Sequence, residues 1–252
     1  MIDIVSSSNQ HIKHIKSLLT KKGRCEYGQY TVEGIKSVNE AISSGCDVLK
    51  IFVSDEFSED KLLATNAVIY RVNSSIFEKI CDTKTPQGVI AVVSKKNPEL
   101  MSLKENGMYL YCDSIQDPGN MGTLIRTADA AGFDGVLLSP GCVEIYNPKT
   151  VRASMGSFFK MDIFENITDI AAYGAKIYGG ALLDSTKDYR NVDYSGTVII
   201  VVGNEANGIC DEILKLCTPV KIPIYGGAES LNAAVAAGIL MYEVSNKKHA
   251  KG

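Results

Sequence analysis

Five short, almost continuously apolar runs dominate the second part of this 252-residue chain: Met108–Cys112, Gly135–Ser139, Ala175–Gly180, Val198–Val202 and Val220–Ile222. A run this short, apolar at successive positions and bounded by breakers, reads as a strand buried on both faces. A parallel sheet with helices on both sides supplies two apolar faces, so the runs predict an α/β fold. Helical stretches at Met121 to Ala131 and Ser230 to Ser245 stand between and after the strands. The first segment mixes shorter pieces. Ile12, Ile15, Leu18 and Leu19 recur at helical spacing, and Tyr30–Glu33 reads as a strand leading into a helix that ends before Gly45. Val48–Val53, Ala67–Val72 and Gly88–Val93 are β-rich. Pro98 and Asn106-Gly107 punctuate a polar stretch between the two patterns. The organisation expected is a small α/β domain at 1–96, a linker at 97–107 and a larger domain at 108–252.

Composition narrows the class. Hydrophobic residues make up 45% and charged residues 22%, enough apolar material to bury a core and rule out dominant disorder. No apolar run reaches the roughly 18 residues of a membrane span, and the N-terminus lacks a signal-peptide pattern, so the cytoplasm is the expected compartment. Seven scattered cysteines without a CxxC pair, and three histidines away from them, give no zinc-like spacing. Reduced, buried thiols and no metal are expected. The net charge of -3 argues mildly against nucleic acid. A local basic run answers it, for Lys13, Lys16, Lys21, Lys22 and Arg24 lie in a stretch free of acidic residues.

Ligands of parallel α/β sheets bind beyond the carboxyl ends of the strands, so the chemistry should lie in the loops that follow them. Asp113-Ser-Ile-Gln-Asp-Pro-Gly-Asn-Met-Gly122 follows the first, with Asn120 a natural helix cap and Arg126 inside the helix. Gly203-Asn204-Glu205-Ala206-Asn207-Gly208 follows the fourth, where glycine lets a ligand approach the backbone. Ile222-Pro223 through Glu229-Ser230-Leu231-Asn232 follows the last, with Ser230 read as a helix cap before a small-residue helix from Ala233. None of these loops is a GxxxxGK[ST] phosphate loop or a GxGxxG dinucleotide fingerprint, which weighs against a nucleotide-dependent oxidoreductase.

In this order the blocks resemble the SpoU (TrmH) family of RNA ribose 2′-O-methyltransferases in the SPOUT superfamily. Asn120-Met121-Gly122 through Arg126 to Gly132-Phe133 matches the first family motif, and Gly203-Asn204-Glu205 with Gly208 the second. Ile222-Pro223 through Asn232 matches the third, and Val151-Arg152-Ala153-Ser154-Met155-Gly156-Ser157 is similar to the stretch between. The first segment resembles the family's small ribosomal-protein-like α/β/α substrate-binding domain, with Tyr30-Thr31-Val32-Glu33-Gly34 its most typical part.

The resemblance implies a trefoil-knotted C-terminal domain, S-adenosylmethionine as cofactor without metal, and a homodimer. It puts Ala181, Leu182, Gly203, Ile222, Leu231, Asn232 and Ala233 at the cofactor. It makes Arg126 the key catalytic residue, with Asn120, Glu205, Ser230 and Asn232 beside it, and Glu205 anchoring either the loop or Arg126. A guanidinium stays protonated, so Arg126 fits an electrostatic clamp on phosphate and developing alkoxide better than a literal base. The expected reaction is ribose 2′-O-methylation of RNA, foremost 23S ribosomal RNA. The alternatives are transfer RNA as substrate, or a non-catalytic RNA-binding protein on the same fold.

Overall fold

The computed structural model describes residues 1–96, 98–181 and 186–250. Its chain forms two compact units: Met1–Lys96 with Glu144–Lys160, and Asn97–Val143 with Met161–Gly252. Residues 144–160, expected from their place in the sequence to belong to the second domain, thus pack with the first.

The first unit begins with β1 (Ile2–Ile4), α1 (Gln10–Ser17), α2 (Lys21–Tyr27), β2 (Gln29–Glu33) and α3 (Ile35–Ser43). It continues with β3 (Val48–Ser54), β4 (Val68–Val72), α4 (Ser74–Phe77) and β5 (Val89–Ser94). The sheet order is β1-β4-β3-β5-β2, with β5 antiparallel to both of its neighbours and the other pairs parallel. Asn9 and Thr20 accept backbone N–H bonds that start α1 and α2, an ordinary use of short polar side chains at helix entries. Ile12, Ile15 and Leu18 pack on Phe52, Tyr70, Phe77 and Ile90 in one core. Each such aliphatic side chain contributes about 1.5–3 kcal/mol of burial.

Arg24, expected on the RNA-binding face, is buried at 3% exposure. Its Nε and one terminal nitrogen donate to the two Glu144 carboxylate oxygens at 2.9 and 2.6 Å, and the other donates to the Leu18 carbonyl at 2.8 Å. A guanidinium bonded through all three of its nitrogens and almost wholly buried is not presented to an RNA phosphate. Burial alone raises the Glu144 carboxyl pKa, but the bonds and charge of Arg24, helped by Lys95, hold it below the usual carboxylate value. Beside this pair Tyr146 and Phe158 close an aromatic cluster on Tyr30, with ring centroids 4.9 and 5.8 Å from it.

The second unit runs through β6 (Met108–Cys112), α5 (Pro118–Ala130) and β7 (Gly135–Leu138). After α6 (Pro148–Ala153), which belongs to the first unit, come β8 (Ile163–Phe164), β9 (Lys176–Gly180) and β10 (Lys187–Asp188). β11 (Val198–Val202), α7 (Asp211–Leu214), β12 (Thr218–Lys221) and α8 (Ala233–His249) complete it. Seven strands pair in the order β10-β12-β9-β11-β6-β7-β8, every pair parallel. The central strands β6 and β11 are buried at every residue, as continuous apolar runs demand. α8 packs against α5, where Gly238 stands close over Thr127 and the Ser245 hydroxyl donates to the Ala131 carbonyl at 2.6 Å.

Because the strands are parallel, their carboxyl ends share one edge. Cys112, Gly180, Val202 and Lys221 end four neighbouring strands in the order β12-β9-β11-β6, so the loops that follow them are neighbours too. Among the described residues no helix is long and apolar enough to cross a membrane. Of the seven cysteines Cys112 is buried, as expected, whereas Cys25 and Cys210 are exposed and depart from that expectation.

Candidate functional site

The helix caps differ from the sequence expectation. Asp117, not Asn120, caps α5: its Oδ1 accepts the Asn120 N–H at 2.8 Å and Pro118 occupies the first helical turn. Proline needs no N–H partner there, which favours Asp-Pro as the start. At α8 the cap is Asn232, whose Oδ1 accepts from Ala234 and Val235 at 2.9 and 3.2 Å. Ser230 lies two residues before that cap and is exposed, without a hydrogen bond among the described residues.

Freed from capping, Asn120 becomes the centre of a network. Its Nδ2 donates to Glu205 Oε1 at 2.9 Å, and its Oδ1 accepts from Asn232 Nδ2 at 3.1 Å. Glu205 also accepts the backbone N–H groups of Gln116 and Asp117, each at 3.3 Å. Burial raises the Glu205 pKa, and the Asn120 and backbone bonds together outweigh it, so the carboxyl ionises below the usual value. Of the two roles open to Glu205, the structure shows the anchor of the 116–120 loop.

Arg126 projects from the exposed side of α5 and makes no hydrogen bond or ion pair among the described residues. It lies six residues, about 9 Å of helix rise, beyond Asn120. An exposed guanidinium without a partner keeps its full donor set for an anion.

Gly203 is buried, and a Cβ there would fall 2.1–2.3 Å from the backbone of Gly208 and Ile209. Glycine is therefore required for the loop to fold back on itself, closed by paired bonds between Asn204 and Gly208 at 2.9 Å. The side of Gly203 where a Cβ would point is filled by the chain itself. The 222–232 loop is different. Residues 225–232 are all exposed, and no heavy atom lies within 4 Å of where a Cβ on Gly226 or Gly227 would point. Leu231 is 37% exposed, with Ile222 and Ala233 half-buried at the two ends of this loop and Ala181 half-buried after β9. Leu182 lies outside the described residues.

Neutral main chain, small residues and isolated aliphatic side chains suit a flat heteroaromatic ring held through backbone donors and acceptors. The residues thus fit S-adenosylmethionine. Among the described residues no three His, Cys, Asp or Glu side chains are grouped to hold a metal ion. A cavity of about 510 Å³ in the first unit is lined by Phe57, Phe77, Gln87, Lys61 and two carboxylates, Glu56 and Glu78. That charge balance suits phosphate poorly, and none of the three loop blocks contributes to it.

Three side chains that sequence reasoning passed over belong to the site. Asp117 is the α5 cap, signalled by Asp before Pro. Asn204 Nδ2 donates to the Ser114 carbonyl at 2.8 Å, and Asp113, 4% exposed, accepts the Cys210 N–H at 2.7 Å. A carboxylate placed directly after a wholly apolar strand was the available signal for Asp113.

A parallel sheet with such loops on its carboxyl edge defines an α/β protein with a ligand site at that edge, and comparison with known proteins gives the class. Residues 107–242 match the model of the SpoU rRNA Methylase family, and residues 9–91 match the MRM3-like substrate binding domain. The Bacillus subtilis 23S rRNA (guanosine(2553)-2′-O)-methyltransferase RlmP is 37% identical over 97% of this chain and 99% of its own. Human mitochondrial rRNA methyltransferase 3 is 26% identical, over 87% of this chain and 68% of its own. The AdoMet-bound rRNA methyltransferase of Sinorhizobium meliloti superposes with a TM-score of 0.87 at 30% identity, covering 98% and 97% of the two chains. AviRb of Streptomyces viridochromogenes, in complex with AdoMet, gives 0.85 at 26%, covering 96% and 98%. The chain belongs to the SpoU family of S-adenosylmethionine-dependent RNA methyltransferases.

Proposed function

We propose that the protein methylates a ribose 2′-hydroxyl of large-subunit ribosomal RNA in the cytoplasm, working as a homodimer. The observation that carries this reading is the Glu205–Asn120–Asn232 network at the carboxyl edge of the sheet, with Arg126 unpaired on the same helix as Asn120. S-adenosylmethionine, when bound, supplies a methyl group on a sulfonium. The chain's own residues have two tasks: to hold the hydroxyl in line and to favour its loss of a proton. Asn120, fixed by Glu205, orients the ribose, and Asn232 ties the start of α8 to the same point. Arg126 clamps a backbone phosphate and stabilises negative charge developing on the 2′-oxygen. Backbone at Gly203, Ile222 and Leu231, with Ala181, Leu182 and Ala233, holds the cofactor; Ser230 stands next to that surface.

Dimerisation is supported by an apolar stripe on the outer face of α8. Val235 and Tyr242, exposed at 53% and 47%, lie seven residues apart on one face of that helix, and Leu231, 37% exposed, stands just before its cap. The first unit is proposed to hold RNA. Lys13, Lys21 and Lys22 are exposed and Lys16 half-buried, giving a local positive patch on an acidic protein.

Two experiments test this. Tritiated S-adenosylmethionine should label large-subunit ribosomal RNA, with the methyl on the 2′-oxygen, and should leave transfer RNA unlabelled; label on transfer RNA alone would replace the substrate. Lys21→Glu with Lys22→Glu should weaken RNA binding and flatten its salt dependence by about two ions, one for each phosphate no longer neutralised. Wild-type affinity and salt slope in that double variant would remove α2 from the RNA face.

A further inference from the structure

Two loops of the site are stitched to each other in both directions. From the β6 loop, Asp113 Oδ2 reaches across to the Cys210 N–H at 2.7 Å. From the β11 loop, Glu205 reaches back to Gln116 N and Asp117 N, and Asn204 Nδ2 to the Ser114 carbonyl at 2.8 Å. Asn204 Oδ1 meanwhile accepts from Ala206 and Asn207 at 2.9 and 3.2 Å, so the same side chain shapes its own loop. Ser114 sits at φ +55°, a left-handed conformation that serine adopts at some cost. It is held there from both sides, since its N–H also donates to Ser139 Oγ at 2.9 Å. Neither Asp113 nor Asn204 is among the residues assigned to hold cofactor or ribose. Asp113 is almost wholly buried, a position in which a carboxylate is stable only with strong donors in place.

We infer that Asp113 and Asn204 are positioning residues that couple cofactor occupancy to RNA binding. The β11 loop carries the cofactor-contacting backbone at Gly203, whereas the β6 loop leads directly into Asn120 and Arg126. A ligand that fixes one loop therefore fixes the other, because the carboxylate and amide bonds between them leave little independent movement. By linkage the coupling is reciprocal: the cofactor tightens RNA, and RNA tightens the cofactor by the same factor. The inference rests on the proposed function, which places the cofactor on one loop and the RNA on the other.

The test uses the full-length protein and a large-subunit ribosomal RNA transcript. RNA affinity is measured with and without saturating S-adenosylhomocysteine, whose own binding is followed by calorimetry. Wild-type protein should bind RNA at least about fivefold more tightly with S-adenosylhomocysteine present, the lower end of typical coupling. Asp113→Ala and Asn204→Ala should each bring that ratio toward one. Asp113→Asn keeps an acceptor facing Cys210 N and should retain most of it. A residue that merely stabilised the fold would lower the unfolding midpoint in all three variants without changing the ratio. A ratio near one in the wild type, or an unchanged ratio in both alanine variants, overturns the inference. No calorimetric binding to wild type at all would overturn the proposed function first, and the coupling with it.

Discussion

Arg126→Ala is expected to slow single-turnover methylation by about 10²–10³-fold, the usual loss when one preorganised transition-state donor is removed. Cofactor affinity should be unchanged, because the surface assigned to the cofactor is main chain and small residues on other loops. Folding should be unchanged as well, since Arg126 is exposed and makes no bond among the described residues. Arg126→Lys separates two mechanisms. Lysine keeps the charge but loses the planar fork, so partial activity points to electrostatic clamping and full inactivity to bidentate geometry. A near-wild-type rate for the alanine variant would take Arg126 out of the mechanism.

The largest expected effect on stability lies elsewhere. Glu144→Ala strands the Arg24 guanidinium, 3% exposed and bonded to both Glu144 oxygens, in the interior of the first unit. Breaking a buried pair by removing one partner costs about 3–5 kcal/mol. Urea unfolding of the variant should show a correspondingly lower midpoint, and Lys95, 3.5 Å from Glu144, cannot make up the loss because it carries the same charge as Arg24. The pH dependence follows from the lowered Glu144 pKa. A carboxyl depressed in the folded state contributes its full stabilisation above the ordinary glutamate value of about 4.3, and loses it as pH falls through the depressed value. Wild type should therefore lose stability in that acidic range more steeply than Glu144→Gln. A destabilisation under about 1 kcal/mol in the alanine variant would show that the pair is more solvated than the structure has it.

The parallel strands were legible because a strand buried on both faces has no polar alternation to hide it; β6 and β11 begin and end at the residues their apolar runs mark. The two- and three-residue strands β1, β8 and β10 carry too little periodicity to be read. Cap identity failed for a different reason. Asp117 and Asn120, or Ser230 and Asn232, are cap-type residues two or three positions apart, and the choice between them is made by Pro118 and by the Asn120–Asn232 bond. Arg24 looked like one of five basic surface residues because its partner lies 120 residues away. A similar separation in sequence hid the packing of Tyr146 and Phe158 on Tyr30, and with it the membership of residues 144–160 in the first unit. Periodicity says nothing about threading either, so the knot expected from the family could come only from the motifs.

On the proposed function this chain places a methyl group on one ribose of large-subunit ribosomal RNA. Nucleotide-resolution mapping of 2′-O-methyl groups, in cells that make the protein, cells that lack it, and deleted cells complemented with wild type or Arg126→Ala, tests it most directly. One 2′-O-methyl group should disappear from the large-subunit RNA on deletion, return with the wild-type chain and stay absent with Arg126→Ala. An unchanged ribose methylation profile in the deleted cells, or a lost methyl that maps to a base, would contradict it.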